Sequence, residues 1–229
     1  MSKFIGKFPL ANRAINAIAR WQDMRFLWGL MVFVCLALVI VAHFLFQEYG
    51  YMRPCEQCVY IRYAFIVMAL GGIVALINPR NVACKVIAYI VAFYGIIRGI
   101  AFSVKLNTIH HAAHSEDAIF GVQGCSTDAK FDFGLPLDKW FPSWFAPTGD
   151  CGFDYSTPPE GVVLEGFRKA FVEFYSEGWY LIPSQQFGNM AQCCLLAYVV
   201  CAVILVAMLS SWLVVRFGRN SQNLARKIK

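Results

Sequence analysis

The sequence predicts an all-α membrane protein, a bundle of four transmembrane helices with one short and one long extracytoplasmic loop. Three observations carry this. Of the 229 residues, 59% are hydrophobic and only 15% are charged, a balance outside that of ordinary soluble domains. Four stretches approach the ~20 mostly apolar residues that a spanning helix needs: Phe26 to Phe46, Val59 to Ile77, Val82 to Phe102 and Met190 to Val215. Twelve of the 20 basic residues fall on one side of such a bundle.

The first stretch is too long for a signal-peptide core and no small-x-small site follows it, so it is expected to remain as an anchor. Lys3, Lys7, Arg13, Arg20 and Arg25 precede it, Arg80 and Lys85 flank the turn after the second span, and Arg216, Arg219, Arg226, Lys227 and Lys229 fill the tail. The positive-inside bias makes that side the cytoplasm, with both termini there. The opposite side then receives a short loop around Gln47 to Cys58 and a long one from Ser103 to Asn189. The long loop holds eleven acidic against five basic residues, a formal −6 in a chain whose total is +6. The positive balance is therefore a signal of topology and membrane lipid, not of a nucleic-acid surface.

No repeat or low-complexity segment divides the chain, so residues 1–229 are expected to form a single integral membrane domain. Within the long loop, "LPLDKWFPSWF" (Leu135 to Phe145) has the aromatic content of a membrane interface, and is expected to lie on the outer leaflet. Val163, Phe167, Phe171 and Phe174 recur at helical spacing opposite Glu165, Arg168, Lys169 and Glu173. They predict an amphipathic helix, either interfacial or packed on the loop's own core.

The nine cysteines sort by depth. Cys35, Cys84, Cys193, Cys194 and Cys201 fall in or near the spans, where a free thiol acts as a small hydrophobe. Cys55, Cys58, Cys125 and Cys151 all fall on the extracytoplasmic side, where disulfides persist. Four cysteines permit three pairings, of which Cys55 with Cys58 is the natural short ring, leaving Cys125 with Cys151. Two purely structural staples are one reading of them, although staples rarely take the C-x-x-C form. A zinc site is disfavoured because Cys125 and Cys151 stand 26 positions apart. A c-type haem is excluded at the first pair because Val59 occupies the place of the required His; no metal is expected.

The setting of Cys58 points instead to chemistry. It lies at the mouth of the second span, where unpaired N–H groups and the helix dipole stabilise a thiolate, and Arg62 follows one turn later. An arginine inside the membrane boundary is costly enough to suggest function, against the alternative of snorkelling to the headgroups. Arg98, near the outer end of the third span, invites the same two readings.

Three segments resemble one family: "RPCEQCVYIRYAF", "FYGIIRGIAF" (Phe93 to Phe102) and "LPLDKWFPSWFAPTGDC" (Leu135 to Cys151). They look like the corresponding motifs of the DsbB-type disulfide-generating membrane proteins, four-helix quinone reductases that re-oxidise a periplasmic thiol oxidase. The likeness runs from about Phe26 to the tail. It implies that Cys125 forms the mixed disulfide with the partner oxidase, that Cys151 pairs with Cys125 and passes electrons to Cys55, and that Cys58 faces the quinone, ubiquinone or menaquinone, with Arg62 beside it. It also implies a bacterial inner-membrane location with periplasmic redox loops. The stretch between Cys151 and "GWYLIP" (Gly178 to Pro183) is longer than in an ordinary member, and resembles the DsbI branch, which serves a DsbA-like partner of the DsbL type. Leu106 stands where an ordinary member has a histidine, with His110, His111 and His114 soon after. The rival expectation is a non-catalytic membrane adaptor whose loop is stapled by two disulfides. A conduit carrying electrons outward is discounted, since Cys84 alone among the cysteines is placed on the cytoplasmic side.

Overall fold

A computed structural model describes residues 9–114 and 125–227. Its helices are α1 (Pro9–Trp21), α2 (Arg25–Val41, continuing as a π-helical segment Ala42–Tyr49), α3 (Glu56–Ile77), α4 (Val82–Ala113), α5 (Leu137–Trp140), α6 (Pro142–Phe145), α7 (Gly166–Phe174) and α8 (Met190–Lys227). A short antiparallel pair, β1 (Tyr180–Ile182) and β2 (Phe187–Asn189), precedes α8. Four helical stretches are long and apolar enough to cross a membrane: Arg25–Tyr49, Glu56–Ile77, Val82–Ala113 and Met190–Phe217.

Several boundaries differ from those expected, among them the end of α8, which runs to Lys227 rather than Val215. Helix α3 starts at Glu56 rather than Val59. Helix α4 continues to Ala113 instead of stopping at Phe102, so the long loop begins after His114 and not at Ser103. Hydropathy falls there, but "SVKLNTIHHAA" contains no Gly or Pro to end the helix, and Leu106 and Ile109 still have a core to bury against. At ~1.5 Å per residue its 32 residues reach ~48 Å, well beyond a ~30 Å hydrocarbon layer. Helix α1 is an N-terminal element that the apolar pattern did not announce.

Helix α3 is the buried centre, with α2 and α4 on either side and α8 packed against α4. Small residues allow the close approach: a Cβ on Gly71 would meet the Ala92 backbone N at 2.8 Å, and one on Gly95 would meet the Met68 N at 2.8 Å. Tyr198 of α8 stacks on Phe65 and donates to the Ile61 carbonyl at 2.8 Å. At the end holding the α3–α4 turn, buried Lys85 pairs with Asp23. Trp28 Nε1 donates to the Gln22 carbonyl at 3.0 Å, fixing the turn between α1 and α2.

The aromatic segment at 135–145 does more than lie on a surface. Trp140 and Phe141 are exposed, as an interfacial placement requires, but Phe145 is buried against Val59, Tyr60, Tyr63 and Phe131. Arg98 has a partner within the protein. Its Nε and Nη2 donate to the two Asp132 oxygens at 2.9 and 2.6 Å, and Tyr94 adds a third bond at 2.6 Å, tying the loop to α4. The expected amphipathic helix is α7, and it packs on the protein itself: Phe171 lies against Phe46 and Tyr49, while Phe167 and Phe174 face outward. Val163, expected on its apolar face, precedes the helix and is exposed.

Candidate functional site: two disulfides beside a cavity between the apolar helices

Pro54 forces the chain to remain extended before the helix, and Cys55 becomes the N-cap of α3. Its Sγ accepts the backbone N–H of Cys58 at 3.2 Å, a sulfur version of the bond an N-cap serine makes to the third helical residue. Cys55 and Cys58 form a disulfide, both buried. The helix terminus thus holds Cys55 directly, and Cys58 sits inside the first turn rather than at its start. With both sulfurs in the bond, the pair offers no thiolate to a metal.

Cys125 and Cys151 form the second disulfide, and backbone bonds bring it to the first. On one flank, Ser126 N donates to Glu56 Oε2 at 2.8 Å and Lys130 N donates to the Tyr60 hydroxyl at 2.6 Å. On the other, Thr148 N and Gly149 N both donate to the Pro54 carbonyl, at 2.9 and 3.1 Å, and Thr157 N donates to the Tyr51 carbonyl at 3.0 Å. Gly149 is required, since a Cβ there would lie 2.5 Å from the Arg53 carbonyl oxygen. Cys55, Cys58 and Cys151 consequently share one buried cluster, with Cys125 packed against it.

Below the first pair, between α2, α3 and α8, lies a largely apolar cavity of about 160 Å³. Cys58 and Arg62 line it; Cys55 does not. Arg62 is buried, which removes the snorkelling reading. Its Nη1 donates to Gln47 Oε1 at 2.7 Å and to the Trp144 carbonyl at 3.3 Å, and Nη2 donates to the Ala42 carbonyl at 3.3 Å. Nε has no acceptor among the described residues. The π-helical segment supplies two of these acceptors, and also places His43 against the Trp144 ring at 3.9 Å.

A family model described as "Disulfide bond formation protein DsbB" matches residues 24–208. The chain belongs to the DsbB family. Protein-disulfide oxidoreductase DsbI of Salmonella typhimurium is 54% identical over 207 residues, covering 89% of this chain and 92% of that one. Protein-disulfide oxidoreductase DsbI of Escherichia coli O6:K15:H31 is 55% identical over 207 residues, covering 89% and 93%. Membership of the DsbB family and the four apolar helices make this a multi-pass membrane protein.

In this DsbB-family chain the structure joins all five residues singled out by sequence: Cys55 with Cys58, Cys125 with Cys151, and Arg62 on the wall that Cys58 also lines. Sequence reasoning missed Gln47 and Trp144, which hold Arg62 across gaps of 15 and 82 residues. It missed Trp179, whose residue lines the cavity and whose Nε1 is buried with no acceptor among the described residues. It also missed Asp154, one of eleven loop acids and indistinguishable from the others in sequence. Burial pushes its carboxyl up to about 6, against a smaller opposing pull from His114.

Proposed function

We propose that this chain is a protein-disulfide oxidoreductase that re-oxidises a periplasmic DsbA-like thiol oxidase of the DsbL type and passes the electrons to a membrane quinone, ubiquinone or menaquinone. The single observation carrying the reading is the cavity that Cys58 and Arg62 share within the bundle. The residues present fit a quinone: apolar walls suit its ring, and Trp179 Nε1, buried with no acceptor among the described residues, is a donor suited to a carbonyl oxygen. A quinone supplies a two-electron, two-proton acceptor that is soluble in the bilayer.

In this reading a thiolate of the reduced partner attacks Cys125, and Cys151 leaves. The partner's second thiol resolves the mixed disulfide, releasing the partner oxidised and both loop thiols reduced. Cys151 then attacks Cys55, Cys58 leaves into the cavity, and Cys125 resolves the new bond. The net change moves two electrons from the partner dithiol to Cys55 and Cys58, while Arg62 holds a cation beside the departing sulfur. DsbA-type oxidants have a potential of about −120 mV, so restoring one requires a still stronger acceptor. We further propose that residues 1–229 act as a single inner-membrane domain, with both termini cytoplasmic and the redox loops periplasmic, as the basic residues favour.

The test is anaerobic mixing of the purified chain with a reduced DsbA-like protein and ubiquinone or menaquinone, following quinone absorbance. Quinone should be reduced in step with partner oxidation, Cys58→Ser should abolish this, and Cys35→Ser should not. A chain that leaves both partner thiols and quinone unchanged is instead the stapled adaptor.

A further inference from the structure

Asp154 is a carboxylate that the electron path above leaves unused. It lies three residues beyond Cys151 and is 9% exposed, and it has no hydrogen-bond or ion-pair partner among the described residues. One of its carboxylate oxygens and the sulfurs of Cys55 and Cys58 lie within 4.8 Å of one another. Asp154 lines the same cavity as Cys58. We propose that Asp154 is the proton-transfer residue for Cys58, an inference that rests on Cys58 being the leaving sulfur. Its carboxyl protonates that sulfur as the disulfide opens, and its carboxylate takes the proton back as the disulfide re-forms.

The reason is the charge this pocket can hold. When an incoming thiolate bonds to Cys55, the S–S electron pair goes to Cys58, creating an anion in a largely apolar cavity next to a carboxylate. Two like charges at that separation and burial cannot both persist, so one proton is shared between them. The groups facing Asp154 do not remove the conflict. Arg62, whose Nη groups bond only neutral acceptors, keeps its charge but can offset at most one of the two anions. Arg53 lines the cavity too, but forms no ion pair with Asp154. His114 acts on the carboxylate in the opposite sense to burial, and Tyr180 and Cys194, which also sense it, bring no positive charge. A carboxyl titrating at about 6 can both give and take a proton near neutral pH.

The step balances: the dithiol is oxidised, the pair is reduced, one S–S bond forms as another breaks, and the proton moves from Asp154 Oδ to Cys58 Sγ. It can be followed without a quinone. The full chain in detergent is reduced by excess dithiothreitol in a single turnover from pH 5 to pH 8. The reaction is quenched by alkylation, Cys55 and Cys58 are read by peptide mass spectrometry, and rates are divided by the dithiothreitol thiolate fraction. The corrected wild-type rate should fall as pH rises through about 6. Asp154→Asn should be flat with pH and about 10²-fold slower than wild type at pH 5, and Asp154→Glu should recover a pH-dependent limb. A flat corrected profile in the wild type overturns the proposal whether or not any variant folds, as does a wild-type limb persisting in Asp154→Asn. Because no quinone takes part, failure here is separate from failure of quinone reduction in the assay above.

Discussion

Arg62 illustrates how one residue is decided by its surroundings. The composition around it permitted either a snorkelling anchor or a site cation, and only burial beside the Gln47 side chain and the Trp144 and Ala42 carbonyls selects the second. If its charge serves the cavity, Arg62→Met should weaken quinone binding about 10- to 100-fold, the range of one charge-assisted hydrogen bond. Arg62→Lys, which keeps charge but loses the planar fork, should fall between the two. Equal quinone affinity in all three proteins would reduce Arg62 to a strut between helices. Asp154 gives a second residue-scale expectation. Its carboxyl is raised from 3.8 to about 6 in the folded chain, so the native state holds the proton more tightly than the unfolded one. The associated stability is present below pH ~4 and is lost as pH rises through about 6, by up to ~3 kcal/mol. Asp154→Asn should therefore raise the thermal midpoint at pH 8 while slowing exchange. Parallel midpoint-against-pH curves for the two proteins would contradict this. Neither residue was equally legible beforehand: an arginine after C-x-x-C stands out inside an apolar run, whereas an aspartate in an acidic loop does not.

Among the elements, the apolar spans were legible because hydropathy over about 20 residues is a local property. Their ends were not. Nothing in "SVKLNTIHHAA" says whether α4 stops with the lipid or continues, because that depends on Leu106 and Ile109 finding other helices to pack on. The π-helical segment is similarly invisible in sequence, yet it directs Gln47 and the Ala42 carbonyl to Arg62. The seat of α7 was left open for the same reason, and contacts from distant segments settle it. Arg168 donates from Nε to the Tyr49 carbonyl at 3.0 Å and from Nη2 to the Glu48 carbonyl at 3.0 Å, with its guanidinium over the Tyr51 ring at 4.1 Å. Arg168→Ala removes both bonds and the cation–π contact, a loss of about 1–3 kcal/mol for a partly exposed group. Limited proteolysis should then cut within 166–174 at least several-fold faster while α3 and α4 remain protected. An unchanged cleavage pattern would mean that the aromatic packing of Phe171 alone holds the helix.

For the molecule as a whole, charge is divided along the chain. Residues 103–189 carry a formal −6, against the basic residues clustered at the termini and the α3–α4 turn. A basic partner oxidase should associate faster than an acidic one, with the difference shrinking as salt rises because exposed charges are screened beyond ~10 Å at 0.1 M. Stopped-flow association rates indifferent to ionic strength would remove the loop's charge from partner choice. The sequence by itself determined the class of the protein, its four spans, the separation of the four loop cysteines from those in or near the spans, and the C-x-x-C pair with its arginine. Each of these is written in composition or in residues within a few positions of one another. The tertiary structure alone decided what surrounds that pair: the stitching of residues 125–130 and 148–157 onto the mouth of α3, the cavity beneath Cys58, and the buried Trp179 and Asp154. These groups come from segments up to about a hundred residues apart. Their meeting follows from helix packing and backbone hydrogen bonds closing long loops, for which no local pattern of residues encodes a signal.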